Sequence, residues 1–303
     1  MVEYGAMSQT SLPDVITIGE TMVLVTPLEA EPLETANAFR LDAGGAESNV
    51  ASHLCDLGTP TAWVSQLGDD ALGRRLERLL RERHVDTRWV RLVASAPTGA
   101  YFKDPGNGVQ YFRAGSAASR MDPAIIEKVP LESIRLVHLS GITEALSASC
   151  ADMVKVIIAR VAAAPTLLSF DVNYRSALWT VTQAAPALAQ SAGGADIVFM
   201  GLDEARTLWG TRTPDEVRAM FPGAPYLIVK DGDVGATDYS PTGTVFVPAT
   251  PTDVVEVVGA GDAFAAGYLN ALLHGLGSVE RLRAGHERAV LVLQSTSDFL
   301  HIH

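Results

Sequence analysis

The segment Val15-Ile16-Thr17-Ile18-Gly19 is a short apolar run, rich in β-branched residues, that ends at a glycine. Such a run predicts a buried strand. The apolar pattern that follows predicts a helix over 48–57, a strand over 62–66 and an Arg-rich helix over 70–83. Strands that alternate with helices are typical of a parallel sheet covered by helices. These residues therefore predict an α/β fold.

The same alternation continues through most of the chain. Further strands are predicted next to helical patterns, over 136–139, 167–170, 197–199 and 227–229. Residues 176–195 are uncharged, but they include two glutamines, a proline and two adjacent glycines, so we interpret them as an Ala-rich surface helix instead of a membrane span. The whole pattern predicts a doubly wound, mostly parallel sheet that is flanked by helices.

Two regions, over 21–42 and 98–113, interrupt this alternation. Short extended runs at 100–102 and 109–112 flank Pro105-Gly106-Asn107-Gly108, which is a strong hairpin-turn signal. Because hairpin strands do not join a parallel core easily, we predict a small antiparallel sheet beside it, acting as a lid. No internal repeat or long linker is visible, so residues 1–303 are predicted to form a single domain with this lid as a subdomain.

Composition excludes several classes of function. The chain has 303 residues and a net charge of −12, which disfavours nucleic acid and anionic membranes as partners. With 48% hydrophobic and 19% charged residues, it is too apolar to be disordered. Cys55 and Cys150 lie far apart and make neither a disulfide framework nor a metal site, and residues 1–12 lack the pattern of an export signal. We therefore expect a compact cytoplasmic protein.

A glycine-rich segment near the C-terminus suggests phosphate chemistry. Val257 and Val258 lead into Gly259-Ala260-Gly261-Asp262, which is predicted to open a helix. Backbone N–H groups of Gly259, Ala260 and Gly261 at that helix end can converge on an anion. Asp262 lies in the first turn, where the helix dipole favours its ionised form, so it could act as a base in phosphoryl transfer. The alternative is that Asp262 only caps the helix.

Other common sites are not indicated by the sequence. It contains no Gly-x-x-x-x-Gly-Lys-Ser/Thr phosphate loop, and Phe264 stands where a dinucleotide-binding fingerprint needs its third glycine. The seven histidines show no helix-spaced ligand pair and no accompanying cysteine cluster. We therefore predict neither a nicotinamide site nor a metal site formed by protein ligands.

Two further groups of residues are candidates for ligand binding. Lys230, Gly232 and Gly235 follow a predicted strand and could receive a flat or charged ligand, although an ordinary β-turn explains them equally. Arg113, on a predicted lid strand, and Arg175, beyond the end of a core strand, could share an anion because guanidinium groups suit carboxylates and phosphates. Surface salt bridges are the alternative for both arginines.

These residues together resemble the ribokinase-like (PfkB) family of carbohydrate kinases. The resemblance rests on Gly44-Gly45-Ala46-Glu47-Ser48-Asn49 near the start of the chain and on Gly259-Ala260-Gly261-Asp262 near its end. Within the family, Tyr101, the run Tyr111-Phe112-Arg113 and the segment 170–179 are most similar to the 2-keto-3-deoxygluconate kinases. Fructokinases share only part of this set.

The resemblance implies transfer of the γ-phosphoryl group of MgATP to the C6 hydroxyl of 2-keto-3-deoxygluconate, with Asp262 as the base. It implies that backbone amides stabilise the transferring group at Gly259, Ala260 and Gly261. Residues that would hold the sugar acid are Gly45, Tyr101, Tyr111, Arg113 and Arg175. Residues on the nucleotide side are Asn173, Lys230, Gly232 and Gly235. Mg²⁺ is expected to arrive mainly with the nucleotide phosphates, with few direct protein ligands.

The chain departs from the family pattern at three places. Glu256 replaces the usual Asp, so the sequence does not decide whether a monovalent cation binds there. Gly201 replaces the Asn of an Asn-x-x-Glu motif, whose Glu is kept as Glu204. Ser297-Asp298 replaces a frequent Gly-Asp. A neutral-sugar kinase such as a fructokinase, and a catalytically silent sugar- or nucleotide-binding regulator, remain alternatives. The lid strands predict a homodimer or higher homo-oligomer. An acidic chain that binds two anions is expected to concentrate its few cations in the cleft.

Overall fold

The computed structural model describes residues 11–29, 31–295 and 299. Within these residues the strands are β1 (Val15–Ile18), β2 (Met22–Pro27), β3 (Phe39–Gly44), β4 (Thr61–Gly68), β5 (Val90–Val93), β6 (Ala100–Asp104), β7 (Gly108–Phe112), β8 (Leu136–Ser140), β9 (Leu167–Asp171), β10 (Ile197–Gly201), β11 (Tyr226–Asp231), β12 (Gly235–Ser240) and β13 (Gly243–Pro248). The helices are α1 (Ala46–Asp56), α2 (Ala71–Glu82), α3 (Gly141–Ala145), α4 (Ala148–Val161), α5 (Val181–Gly193), α6 (Leu202–Trp209), α7 (Pro214–Met220), α8 (Ala260–Leu273) and α9 (Ser278–Leu293).

A large sheet forms the centre of the molecule, with the strand order β13-β12-β11-β10-β9-β8-β1-β4-β5. All of its neighbouring pairs are parallel except β11 with β12 and β12 with β13. The prediction of a doubly wound, mostly parallel sheet is therefore confirmed. The antiparallel edge was not predicted from the sequence, which had placed Gly235 in a ligand-binding turn instead of at the start of β12.

The sheet is buried on both faces, which explains its almost continuous apolar strands. Ile16 and Ile18 belong to a core that includes α4 and α5, whereas Val15 packs in a second core with Phe264 and Leu269 of α8. Residues of one strand thus alternate between the two cores. Full burial of one such aliphatic side chain is worth about 1.5–3 kcal/mol, so these strands contribute much of the stability of the fold.

A second, smaller sheet lies beside the large one, with the order β3-β2-β6-β7. Its two hairpin-type pairs, β2 with β3 and β6 with β7, are antiparallel, as predicted. The central pair, β2 with β6, is parallel, so the prediction of an antiparallel sheet was wrong for this pair. A parallel pair requires a long crossover, and here the crossover passes through α1, β4, α2 and β5 of the main body.

Several other segments of the chain lie at the surface of the fold. The apolar residues Val254, Val255 and Val257 are exposed and form no strand, because this segment runs along the surface before α8. Five arginines of the segment 74–91 are paired with acids, for example Arg78 with Glu82, whereas Arg75 and Arg91 donate to backbone carbonyls. No helix in the described part of the chain is long and apolar enough to cross a membrane. Ser297-Asp298 and nearly all of the segment 1–12 lie outside the described residues.

Candidate active site

A cavity of about 860 Å³ opens at the carboxyl ends of the parallel strands. This is the edge at which open α/β sheets bind ligands. Asp171, Gly201 and Lys230, at the ends of β9, β10 and β11, form part of its wall. The small sheet closes another side with Tyr101 and Tyr111. The remaining lining comes mainly from the N-terminal ends of α1 and α8 and from the segment that follows β9.

Asp262 lies in the first turn of α8 and faces the cavity. Its Oδ2 accepts a hydrogen bond of 2.9 Å from Nδ2 of Asn49, on α1. Burial raises the pKa of Asp262 to about 7, although the hydrogen bond from Asn49 stabilises the carboxylate and acts to lower the pKa. Burial therefore opposes the effect expected of the helix dipole, which favours the ionised form. A carboxylate with a pKa near neutrality is well matched to general-base catalysis.

The glycine-rich turn before α8 brings two of its three predicted residues to the cavity. Gly259, the N-cap of α8, and Gly261 line the cavity. Ala260 does not, and its backbone N–H donates to the carbonyl of Val257 over 3.3 Å. Within the described residues the Ala260 N–H is thus used inside the turn, while Gly259 and Gly261 are the two residues of the motif's Gly-Ala-Gly that face the cavity.

Gly45 is the N-cap of α1 and lies at the cavity beside the small sheet. A Cβ atom on Gly45 would lie 2.1 Å from the backbone oxygen of Glu20. No side chain fits there, so a glycine is needed for the turn into α1 to pack against the β1–β2 connection. Close packing at Gly45 therefore explains why this position of the motif is a glycine, in addition to its place in the cavity lining.

An aromatic and cationic wall forms on the small sheet. The rings of Tyr101 and Tyr111 stack with centroids 5.7 Å apart, and the guanidinium of Arg113 lies 5.6 Å from the Tyr111 ring centroid. Arg113 forms a buried ion pair with Glu20, whose other carboxylate oxygen accepts a hydrogen bond from Ser116. Within the described chain, Nε of Arg113 is buried and has no hydrogen-bond partner. That N–H is therefore left unsatisfied by the described residues.

Arg175 lines the cavity from the segment after β9. Its Nη1 is 3.6 Å from Oε1 of Glu204, and its side chain is 49% exposed. This loose, exposed pair leaves the guanidinium able to turn toward an anion. Arg113 and Arg175 therefore both line the cavity, as predicted, but each already faces a carboxylate.

Lys230 lies between the strand ends and the turn that precedes α8. Its Nζ donates to Oδ2 of Asp171 over 2.9 Å, and it lies close to Gly261. Burial acts to lower the pKa of Lys230, but Asp171 and Glu204 outweigh it, so the pKa stays above the usual value. Gly232 lines the cavity, whereas Gly235 pairs with Asp231 and Pro248 in the antiparallel edge and does not.

The cavity contains more carboxylates than cations. Its described lining contains three cations, each next to a carboxylate, and a total of five carboxylates: Glu20, Asp171, Asp203, Glu204 and Asp262. Burial raises the pKa of both Glu20 and Glu204 as well as that of Asp262. Burial thus disfavours the charged form of all three carboxyls. The cations are present in the cleft, as predicted, but they are not in excess.

Oxygen atoms suited to a hard cation lie on the same side as Lys230. Oδ1 of Asp171 and Oδ1 of Asn173 are both buried and accept no hydrogen bond in the described part of the protein. Carboxylate and amide oxygens are ligands that Mg²⁺ prefers. Among the described residues, no group of three or more His, Cys, Asp or Glu side chains has the arrangement of a metal site. The Oδ1 atoms of Asp171 and Asn173 could therefore contact a cation only if most of its ligands come from another molecule.

Sequence reasoning passed over two residues of this site. Glu20 follows β1 by two residues, and Asn49 lies inside the glycine-rich motif without an assigned role. The rule that ligands bind beyond the carboxyl ends of parallel strands could have identified Glu20. No sequence signal joins Asn49 to Asp262, because the two residues meet only when α1 and α8 pack together.

Comparison with known proteins agrees with this geometry. Residues 12–300 match the model of the pfkB family carbohydrate kinases. The chain is 32% identical, over 94% of its length and 91% of the relative, to a 2-dehydro-3-deoxygluconokinase of Bacillus subtilis, and 30% identical, over 85% and 78%, to a probable fructokinase-7 of Arabidopsis thaliana. The crystal structure of a PfkB protein from Polaromonas sp. JS666 superposes with a TM-score of 0.88 at 36% identity, over 94% of this chain and 97% of that one. The chain therefore has the ribokinase-like fold and belongs to the PfkB family of ATP-dependent carbohydrate kinases.

Proposed function

We propose that the protein transfers the γ-phosphoryl group of MgATP to the C6 hydroxyl of 2-keto-3-deoxygluconate, giving 2-keto-3-deoxy-6-phosphogluconate. The observation that carries the proposal is one cavity with a buried base, Asp262, and two arginines beside a pair of stacked tyrosines. The arginines suit the carboxylate of a sugar acid. The likeness to a 2-dehydro-3-deoxygluconokinase supports the same substrate.

In this proposal Asp262 accepts the proton of the acceptor hydroxyl as that oxygen attacks the γ-phosphorus. The Asn49 amide donates to Oδ2 of Asp262 and so orients the carboxylate. The N–H groups of Gly259 and Gly261, with Lys230 nearby, stabilise the negative charge of the transferring group. Gly45, Tyr101, Tyr111, Arg113 and Arg175 bind the sugar acid, and Asn173, Lys230 and Gly232 bind the nucleotide.

Mg²⁺ supplies charge neutralisation of the nucleotide phosphates in this family of reactions. The unpartnered oxygens of Asp171 and Asn173, together with Glu204, would contact the cation or its water while the phosphates hold most of it. The carboxylate-rich lining supports this role. Two anionic substrates enter a cavity that has no excess of cations, so added positive charge strengthens their binding.

We propose further that the whole chain works as one cytoplasmic kinase domain and that the small sheet is its lid. Tyr101 and Tyr111 project from that sheet into the cavity, so displacement of the sheet would open and close the sugar site. Closure of such a lid excludes water from the phosphoryl-transfer step. A monovalent cation near Glu256 stays a prediction, and no step is assigned to it.

A panel of sugars tests this function directly. Formation of ADP is followed by a coupled assay with 2-keto-3-deoxygluconate, its galactose-derived epimer, fructose and ribose. We expect the highest kcat/KM with one of the two sugar acids. A preference for fructose would favour the alternative that the plant fructokinase relative supports. Tight binding of ATP and sugar without turnover would favour a silent regulator, which the intact Asp262 argues against.

Arginine variants test recognition of the carboxylate. Arg113→Met alone would leave Glu20 buried without its partner, so it is combined with Glu20→Gln. Charge-assisted hydrogen bonds are worth about 1.5–3 kcal/mol, which predicts an about 10- to 100-fold loss of kcat/KM for the sugar acid. The loss for fructose is expected to be much smaller. Equal losses for both sugars would contradict carboxylate recognition by Arg113.

A further inference from the structure

One ion pair joins the small sheet to the segment that leads into α8. Lys103 lies on β6, two residues after Tyr101, so both side chains project from the same face of the sheet. Nζ of Lys103 lies 3.4 Å from Oε2 of Glu256, and the Lys103 side chain is only 8% exposed. The small sheet is thus connected directly to the segment that enters the phosphate-binding turn, Gly259 to Gly261.

Glu256 also organises the backbone that enters the phosphate-binding turn. Its Oε1 accepts hydrogen bonds from the N–H groups of Val257, over 2.9 Å, and Val258, over 3.2 Å. Val257 and Val258 line the cavity immediately before Gly259. One carboxylate therefore holds this backbone with one oxygen and faces the small sheet with the other.

Little apolar packing holds this segment in place. The side chains of Val254, Val255 and Val257 are 57–66% exposed. The backbone N–H groups of Val255 and Glu256 donate to the carbonyl of Leu293, at the end of α9. This anchor holds the start of the segment to the main body. The part closest to the phosphate-binding turn depends on the carboxylate of Glu256.

We propose that Lys103 and Glu256 are positioning residues that couple sugar binding on the small sheet to ordering of the phosphate-binding turn. A sugar that orders the small sheet also orders Lys103, which fixes Glu256 and the backbone before Gly259. A nucleotide that orders the turn acts on the small sheet through the same pair. Thermodynamic linkage makes this coupling reciprocal. The proposal requires a sugar kinase, which the family establishes, but it does not depend on which sugar is used.

The length of the Glu256 side chain matters for this coupling. An aspartate, which the PfkB pattern usually has at this position, is shorter by one carbon–carbon bond of about 1.5 Å. With its backbone in place, an Asp carboxylate would lie beyond ion-pair distance of Lys103. Glu256→Asp therefore keeps the negative charge but removes the contact, which separates the ion pair from the general effect of an acidic residue.

Binding synergy tests the proposal. Calorimetry measures the Kd of the sugar that the panel identifies as substrate, with and without Mg²⁺ and the non-hydrolysable nucleotide adenylyl imidodiphosphate. We expect the nucleotide to tighten sugar binding by about fivefold or more in the wild-type protein, as is usual for coupled sites. Lys103→Met, Glu256→Gln and Glu256→Asp should each reduce this factor to less than about twofold.

A matched surface pair serves as control. Lys155 and Asp152 on α4 form an exposed ion pair of 3.1 Å away from the cavity, so Lys155→Met should leave the synergy unchanged. Melting temperatures identify any variant that is merely unstable, because loss of stability alone does not remove a ratio of two affinities. Full synergy in all three single variants, or its absence from the wild-type protein, overturns the proposal. Neither result bears on whether the substrate is a sugar acid.

Discussion

At Asp262, two opposing effects determine the charge of one carboxyl group. Burial disfavours the carboxylate, while the Nδ2–H of Asn49 stabilises it, and the balance raises the pKa to about 7. A base must be deprotonated to accept a proton. We therefore expect kcat/KM to rise as the pH increases through about 7 and to level off above it.

The hydrogen bond from Asn49 provides a test of this balance. Asn49→Ala removes a donor that favours the ionised form, so the pKa of Asp262 should rise and the acidic limb of the pH profile should move to higher pH. Asn270→Ala is the control, since Asn270 is an asparagine on α8 outside the cavity lining. A profile of kcat/KM against pH measures both. If the acidic limb of the Asn49→Ala profile is unchanged, Asn49 does not influence the pKa of Asp262.

Loss of the carboxylate itself has a larger predicted effect. Asp262→Asn keeps the size of the side chain but removes the base, and general-base catalysis typically contributes about 10²- to 10⁴-fold. We expect kcat to fall within that range while nucleotide binding and the melting temperature change little. Steady-state kinetics with a coupled ADP assay measure the loss. Turnover within a few-fold of the wild-type value would contradict the role of Asp262.

At the scale of elements, the two C-terminal helices place Asp262. Helix α8 carries the residue at its first turn and packs closely against α9 through Gly267. A Cβ atom at Gly267 would lie 2.3 Å from the carbonyl oxygen of Ala284. The glycine therefore permits a helix contact that no larger residue allows, and this contact fixes where α8 presents its N-terminus.

Gly267→Ala should force the two helices apart. Overpacking of this kind costs about 1–3 kcal/mol, so we expect the free energy of unfolding to fall by that amount. Gly193→Ala is the matched control: Gly193 ends α5, and its Cβ would meet no atom within 4 Å. That change should be neutral or stabilising by up to about 1 kcal/mol. Urea denaturation measures both, and equal effects would show that the α8–α9 contact is not tight.

At the scale of the whole molecule, the small sheet leaves an apolar surface exposed. Val25 of β2 pairs with Leu41 of β3 on one side and with Phe102 of β6 on the other, so these three side chains share one face of the sheet. Phe112 of β7 packs edge-on against Phe102 and is 62% exposed, and Phe39 is 42% exposed. A contiguous apolar patch on a sheet is typical of an interface.

This surface supports the proposal of a homodimer through the small sheet. We expect light scattering to give twice the mass of one chain. The double variant Leu41→Glu with Phe112→Glu places charge in the patch and should give the mass of one chain. Val156→Glu, at an exposed position of α4, is the control for added surface charge. A wild-type mass equal to that of one chain would contradict the dimer.

Local patterns were enough to predict six strands of the main sheet, namely β1, β4, β8, β9, β10 and β11, but not β5, β12 or β13. The strand β1 begins and ends where the β-branched run of Val15 to Ile18 does, because Pro13-Asp14 and Gly19 interrupt it on both sides. The hairpin of β6 and β7 follows from its Pro-Gly-Asn-Gly turn in the same way. Such features depend on neighbours within a few residues, so one chain segment carries all the information that they need.

Features that join distant segments depend on the packed molecule. The amino-acid sequence placed Asp262 after a glycine-rich turn and Arg113 on a strand near the cleft, and it indicated the family from those residues. Packing then buried Asp262 against Asn49, paired Arg113 with Glu20 and used the N–H of Ala260 inside its own turn. It also aligned β2 with β6 and brought Lys103 to Glu256. Charge balance and pKa depend on distance and exclusion of solvent, and these quantities exist only once the sheets and helices have packed.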